Sequence, residues 1–118
     1  MKKEYRVKKS SEIDAIFKHK KSKNNQWYGI HQKKSEKSNH FRFSLSIGKK
    51  YGNAVERNLS KRRLRMIILE LSPIIKNNIE FVVVIKPASK SLSFQEMRKT
   101  IIELLKKSNL LENENAEH

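Results

Sequence analysis

Residues 79–85, Ile-Glu-Phe-Val-Val-Val-Ile, constrain the architecture more tightly than any other stretch of the chain. The run is β-branched and nearly all apolar, and Pro87 ends it, the pattern of a central strand buried on both faces. Such a strand needs packed layers above and below it. Phe41, Phe43, Leu45 and Ile47 alternate without a break against Arg42, Ser44, Ser46 and Gly48. This predicts a second strand with one core face and one polar face. That polar face could receive a ligand or simply meet solvent.

The remaining elements follow from periodicity and caps. Ser10 or Ser11 can cap a short helix whose apolar positions are Ile13, Ile16 and Phe17. Residues 18–25 read as a polar, basic connection, residues 27–31 as a strand weakened by Gly29, and residues 33–40 as a hydrophilic loop. Asn53 and Glu56 have capping-box spacing, so the main helix is expected to start at Ala54 and run to about Leu71, before Pro73. Val55, Leu59, Leu64, Ile67 and Leu71 are expected on its core side, with Arg63 packing its stem there and snorkelling its head outward. Ser93 and Glu96 frame a second capping box, followed by Met97, Ile101, Leu104 and Leu105 on one helix side. The order α-β-β-α-β-α predicts an α+β fold, an α/β sandwich of one sheet and packed helices. Residues 1–111 are expected to form one domain and 112–118 a flexible acidic tail.

Charge narrows the function. The 118 residues carry 27 Lys plus Arg against 12 Asp plus Glu, a net of +15. Glu112, Glu114 and Glu117 lie in the last seven positions, so residues 1–111 hold all 27 bases and nine acids, a net of +18. A chain under that self-repulsion is expected to live beside an anion and to associate in a salt-sensitive way. The densest stretch is Arg57-Asn58-Leu59-Ser60-Lys61-Arg62-Arg63-Leu64-Arg65. On a helix, Arg57, Lys61 and Arg65 form one row and Asn58 and Arg62 the next. Like charges at i, i+4 destabilise an isolated helix, and planar guanidinium forks suit phosphate oxygens. The polyanion indicated is nucleic acid.

A membrane surface is the competing anion; it would call for an amphipathic basic helix with a broad apolar face or for a lipidation signal, and no apolar run approaches a transmembrane span. The first residues lack the apolar region of a secretory signal, and cysteine is absent. A cytoplasmic location is the expectation.

Catalytic patterns are missing from the sequence. The acids are mostly isolated, and His19, His31, His40 and His118 have no metal-ligand spacing, so neither a protein-held metal nor a catalytic residue is expected. No phosphate-loop or dinucleotide fingerprint occurs. Gly48-Lys49-Lys50-Tyr51-Gly52 precedes a helix N-terminus, where Lys49 and Lys50 either meet a phosphate or form an ordinary basic turn. Phe41 and Phe43 belong to the core. Phe17 either packs under the first helix or rims a cleft, and Trp27 and Tyr28 point to opposite faces.

The basic helix resembles the signature Arg-Asn-x-x-Lys-Arg-x-x-Arg of the protein subunit of bacterial ribonuclease P, matched by Arg57, Asn58, Lys61, Arg62 and Arg65. The lead-in, residues 49–56, is similar to that family's Lys-Lys-x-Gly-Asn-Ala-Val-x, and similarity extends over nearly the whole chain. Leu59, Gly48 and Ile13 stand where the family often has a further Arg or Lys, a Ser and a Phe. The resemblance implies a ribosomal protein S5 domain 2-like sandwich with a left-handed βαβ crossover and a mixed sheet. It also implies a catalytic RNA partner that holds most of the required Mg²⁺ and cleaves the 5′ leader from precursor tRNA. Carried over, Arg57, Asn58, Lys61, Arg62 and Arg65, with Lys49 and Lys50, would contact RNA. Ile13, Phe17, Tyr28 or Ile30, and Arg42 would line a cleft for the single-stranded leader. One protein per RNA is expected. A structural ribosomal protein and an autonomous endonuclease are the competing classes.

Overall fold

The computed structural model describes residues 5–35 and 39–112. Glu36 in the hydrophilic loop and all of the expected acidic tail except Glu112 lie outside these residues. The elements are α1 (Ser10–Lys18), β1 (Lys21–Asn24), β2 (Tyr28–Lys34), β3 (Arg42–Ile47), α2 (Ala54–Glu70), β4 (Ile79–Ile85) and α3 (Phe94–Lys107). The sheet runs β1-β2-β4-β3, so the β-branched run occupies an interior position between β2 and β3. β4 pairs antiparallel with β2 and parallel with β3, and α2 makes the crossover between the two parallel strands. The fold is α+β with a mixed sheet.

Period-2 geometry divides the sheet into two faces. Tyr28 and Ile30 of β2, Phe43 of β3, and Phe81, Val83 and Ile85 of β4 project to one face. There they join Leu64, Ile67 and Ile68 of α2 and Met97, Ile101, Leu104 and Leu105 of α3 in the main core. Phe43 and Phe81 stack within it at 5.8 Å, and Phe41 closes on Phe43 at 5.9 Å. The opposite face holds a smaller cluster of Val7, Ile16 and Val82, flanked by Ile13, Phe17 and Val84. α1 covers only part of that face, leaving Ser44, Ser46, His31 and Val84 partly exposed beside it.

Both long helices begin where the capping spacing predicts. The Asn53 side chain accepts from the Glu56 N–H and the Glu56 carboxylate accepts from the Asn53 N–H, each at 2.9 Å. Ser93 and Glu96 repeat the exchange at α3. α3 ends in a Schellman turn, with Asn109 left-handed and the Leu110 N–H donating to the Leu105 carbonyl. The Gln32 amide donates to the Ser108 carbonyl at 2.7 Å and ties that end to β2.

Three expectations need correction. The basic connection over residues 18–25 contains a strand, β1, whose four side chains are all exposed. With no buried face it leaves no hydrophobic alternation; only its main-chain pairing to β2 defines it. α1 starts at Ser10 after Lys9, with no side-chain cap from Ser10 or Ser11. Finally, Val55 and Leu59 are not core residues: they are 76% and 38% exposed. The α2 residues that pack inward are Ser60, Leu64, Ile67 and Ile68, because the first turns of the helix lack a covering layer on the Val55 side.

Candidate nucleic-acid interface

The sequence Gly52-Asn53-Ala54-Val55-Glu56 fixes where α2 starts, and therefore where each following side chain points. Gly52 sits at φ 157°, and a Cβ there would collide with the Glu56 carboxylate that closes the capping box. From this start Asn58 and Arg62 are exposed, while Arg57, Lys61 and Arg65 are half-buried. Arg63 lies apart from that row, half-buried beside Ser60 and Leu59, as its angular position predicts. Lys49 and Lys50 are exposed on the 3-10 turn Lys49–Tyr51 that leads into the helix, while Tyr51 turns inward.

Lys61 and Arg65 face the free edge of β3. Arg6 bridges to Phe43 there, and the Val7 N–H donates to the Phe43 carbonyl at 2.9 Å, extending the sheet by a short strand-like segment. Arg6, Lys61 and Arg65 thus surround a notch of about 70 Å³ floored by Phe43, Ser44 and Leu45. Among the described residues no acidic side chain lines it, and no carboxylate pairs with Arg57, Lys61, Arg62 or Arg65. Burial, and then the neighbouring Arg6 charge, push the Arg65 pKa below the usual arginine range. Three cations therefore converge on one small polar hollow at a cost that an anion would remove. The sequence signal gives two members of this cluster; Arg6 joins them only through the pairing of the N-terminal segment with β3.

The second candidate region is the groove where α1 meets the sheet. Ile13 and Phe17 lie there, and the Phe17 ring sits 4.6 Å from the His31 ring at 60°. Tyr28 and Ile30 do not: both are fully buried in the main core on the opposite face. Side-chain alternation makes a one-residue choice decide the face, and the β2 residues on the α1 side are Gly29, His31 and Lys33. The apolar parity of Tyr28 and Ile30 was the signal that could have assigned them to the core and His31 to the groove. Burial pushes the Tyr28 hydroxyl up to about 12. Burial, followed by the charge of Lys86, lowers the His31 pKa, so the ring facing Phe17 is neutral at pH 7.

Arg42 does face α1, but its guanidinium is already engaged. It donates to Glu80 at 2.8 Å, to Glu12 at 3.2 Å and to the Arg6 carbonyl at 3.2 Å. Its role in this geometry is to lock α1 and the N-terminal segment onto the sheet. Glu12 and Glu80 are the carboxylates that a cation might have used, and Arg42 holds both. Among the described residues no three His, Cys, Asp or Glu side chains converge to hold a metal ion. No described helix is long and apolar enough to cross a membrane.

Fold and surface together define a small basic α+β protein whose crossover helix displays a row of cations that no described carboxylate pairs. Comparison with known proteins gives the family. The Ribonuclease P family model matches residues 1–109. The ribonuclease P protein component of Phytoplasma australiense is 47% identical over 111 residues, covering 94% of this chain and 96% of that protein. That of Levilactobacillus brevis is 35% identical over 117 residues, covering 99% of each. The RNase P protein of Staphylococcus aureus superposes with a TM-score of 0.85 at 26% identity, over 90% of this chain and 96% of the other. A mutant of the Staphylococcus aureus protein, described as defective in mRNA degradation activity, superposes at 0.87 and 28%, over 92% of this chain and 91% of the other. The chain belongs to the ribonuclease P protein family. Membership places it in tRNA processing, as a protein component of an endoribonuclease that works with an RNA subunit.

Proposed function

We propose that this chain assists an RNA catalyst rather than cutting RNA itself, docking the ribonuclease P RNA through α2 and holding the precursor tRNA leader in the groove beside α1. The observation that carries this reading is the notch of Arg6, Lys61 and Arg65 around Ser44, lined by no acid among the described residues, on the helix that also exposes Asn58 and Arg62. Phosphate oxygens entering that notch would relieve the mutual repulsion of its three cations and accept charge-assisted hydrogen bonds. Arg57 extends the row toward the helix start, where Lys49 and Lys50 add exposed charge.

The groove supplies a different chemistry. Phe17 and the neutral His31 ring offer flat apolar surface for an unstacked base, Ile13 flanks them, and Ser44 and Ser46 give small polar contacts. Arg42 supports this groove through Glu12 and Glu80 rather than by contacting the leader. Mg²⁺ belongs to the RNA in this account, and the Glu12 and Glu80 carboxylates facing the groove are held by Arg42. The protein's own contribution is then electrostatic: it lowers repulsion between RNA subunit and substrate and fixes the leader's path. The chain acts in the cytoplasm, as one copy per RNA.

The test is cleavage of precursor tRNA at physiological Mg²⁺ by the purified protein, by the RNA subunit, and by both. Efficient cleavage is expected only from the combination. Cleavage by protein freed of RNA would refute the proposal and favour an autonomous nuclease.

A further inference from the structure

One row of the sheet forms the floor of the α1 groove beyond Phe17 and His31. Across the strands it reads Asn24 of β1, Gly29 of β2, Val84 of β4 and Ser46 of β3, all on the face that carries His31. Val84 flanks the small cluster under α1, Ser46 is partly exposed and Asn24 is exposed. Gly29 is buried, and the side chain that lies over it is that of Asn24. A Cβ on Gly29 would collide with Asn24 Oδ1, whereas it would meet Val84 Cβ at an ordinary 3.8 Å. Glycine at this position therefore lets the Asn24 carboxamide lie flat on the sheet.

The chain beside Asn24 is firmly held. The Asn25 side chain accepts from the Trp27 and Tyr28 N–H groups at 2.8 and 2.7 Å, and Lys86 Nζ donates to the Asn25 carbonyl at 2.7 Å. The Asn25 N–H donates to the Tyr28 carbonyl at 2.9 Å. The Asn24 carboxamide, by contrast, makes no hydrogen bond among the described residues. Its donor and its acceptor both remain for whatever enters the groove.

The neighbours of His31 decide what can reach that amide. On one side along β2 stands Lys33, paired in register with Glu80, whose carboxylate Arg42 holds. On the other side comes Gly29, about 7 Å away along the strand and without a side chain. A planar base packed at about 3.5–4.0 Å from the His31 ring fits into that gap and brings its edge to the Asn24 carboxamide. A carboxamide can pair with a base edge through two hydrogen bonds at once.

We propose that Asn24 reads one base of the single strand in the α1 groove: the nucleotide stacked on His31 and Phe17 turns its hydrogen-bonding edge to the Asn24 carboxamide. The proposal rests on the leader-binding reading and adds a sequence preference to it. Stacking alone tolerates any base, because every base has a π-face, whereas a bidentate edge contact favours one.

The test uses holoenzyme assembled from the full-length protein and its ribonuclease P RNA. Affinity is measured for precursor tRNAs carrying each of the four bases at each leader position in turn, with leaderless tRNA as the reference. Wild type is expected to prefer one base at one leader position by about five- to tenfold, the lower end of the span for a bidentate pair, because the site is open to water. Asn24→Ala removes the amide and is expected to shrink that preference to within about twofold. Gly29→Ala puts a methyl group where the amide lies, and is expected to do the same with Asn24 present. Thermal unfolding checks both variants; should Gly29→Ala fail to fold, Asn24→Ala carries the test alone. A preference that survives in either folded variant, an equal loss of affinity for all four bases, or a wild type without preference overturns the proposal. A wild-type holoenzyme that binds precursor and leaderless tRNA equally would instead remove the leader-groove reading beneath it.

Discussion

Replacing Arg42 with Ala should damage stability before it damages RNA binding. Glu80 keeps only 4% of its side chain exposed, and its 2.8 Å ion pair with Arg42 neutralises it. Removing Arg42 strands that carboxylate between β2 and β3. Breaking a buried pair from one side costs about 3–5 kcal/mol, because the remaining charge has lost both water and partner. Glu12 also loses its contact, but at 17% exposure it recovers hydration and adds little. For a chain of this size roughly 4 °C of Tm corresponds to 1 kcal/mol, so a fall of about 12–20 °C is expected by circular dichroism. Exchanging both partners, Arg42→Met with Glu80→Met, should recover most of the loss, since an apolar pair of similar volume leaves no orphan charge. RNA affinity measured well below the lowered Tm should stay within about threefold of wild type, the scale on which a non-contacting side chain acts. A Tm within about 2 °C of wild type for Arg42→Ala, with RNA affinity sharply reduced, would refute the structural role and return Arg42 to the leader cleft.

Other expectations follow from the same geometry. Arg62→Ala should reduce the magnitude of the salt slope for RNA binding by about 0.7, the single-strand value per neutralised phosphate; an unchanged slope makes Arg62 a solvated bystander. Phe17→Ala should cost about 1–3 kcal/mol of affinity for precursor tRNA and leave affinity for leaderless tRNA unchanged, as loss of one stacked base requires. His31 has its folded pKa below the unfolded value, so its stabilising effect is complete above about pH 6.5 and fades as pH falls through the folded pKa. The Tm of wild type should accordingly fall more between pH 7.5 and 5.5 than that of His31→Phe; equal falls would show that His31 is not desolvated.

Much of this was readable from residues alone, and the exceptions have physical causes. The interior position of β4 and the two capping boxes are local signals, and both long helices start where those signals place them. The cationic row was equally legible, because i, i+4 spacing survives any tertiary context. β1 was illegible because an exposed edge strand has no buried parity to mark it. The resemblance implies Tyr28 or Ile30 for the leader cleft, and sequence alone does not tell which face of β2 meets which helix. Their apolar parity belongs to the larger core, and His31 inherits the groove. Val55 and Leu59 have helical core spacing, but the first turns of α2 extend beyond the layer that covers its later turns. Arg6 enters the cationic notch through a strand pairing separated by 37 positions in the chain, which no local pattern reports.

The most direct measurement compares two triple substitutions of equal charge. One replaces Arg57, Lys61 and Arg65 on α2 with Gln; the other replaces Lys99, Lys106 and Lys107 on α3. The salt dependence of binding to the ribonuclease P RNA should lose about two units of slope with the α2 triple and little with the α3 triple, at about 0.7 per lost phosphate contact. Equal losses from both would mean that the RNA responds to net charge alone, and the assignment of α2 as the docking element would be wrong.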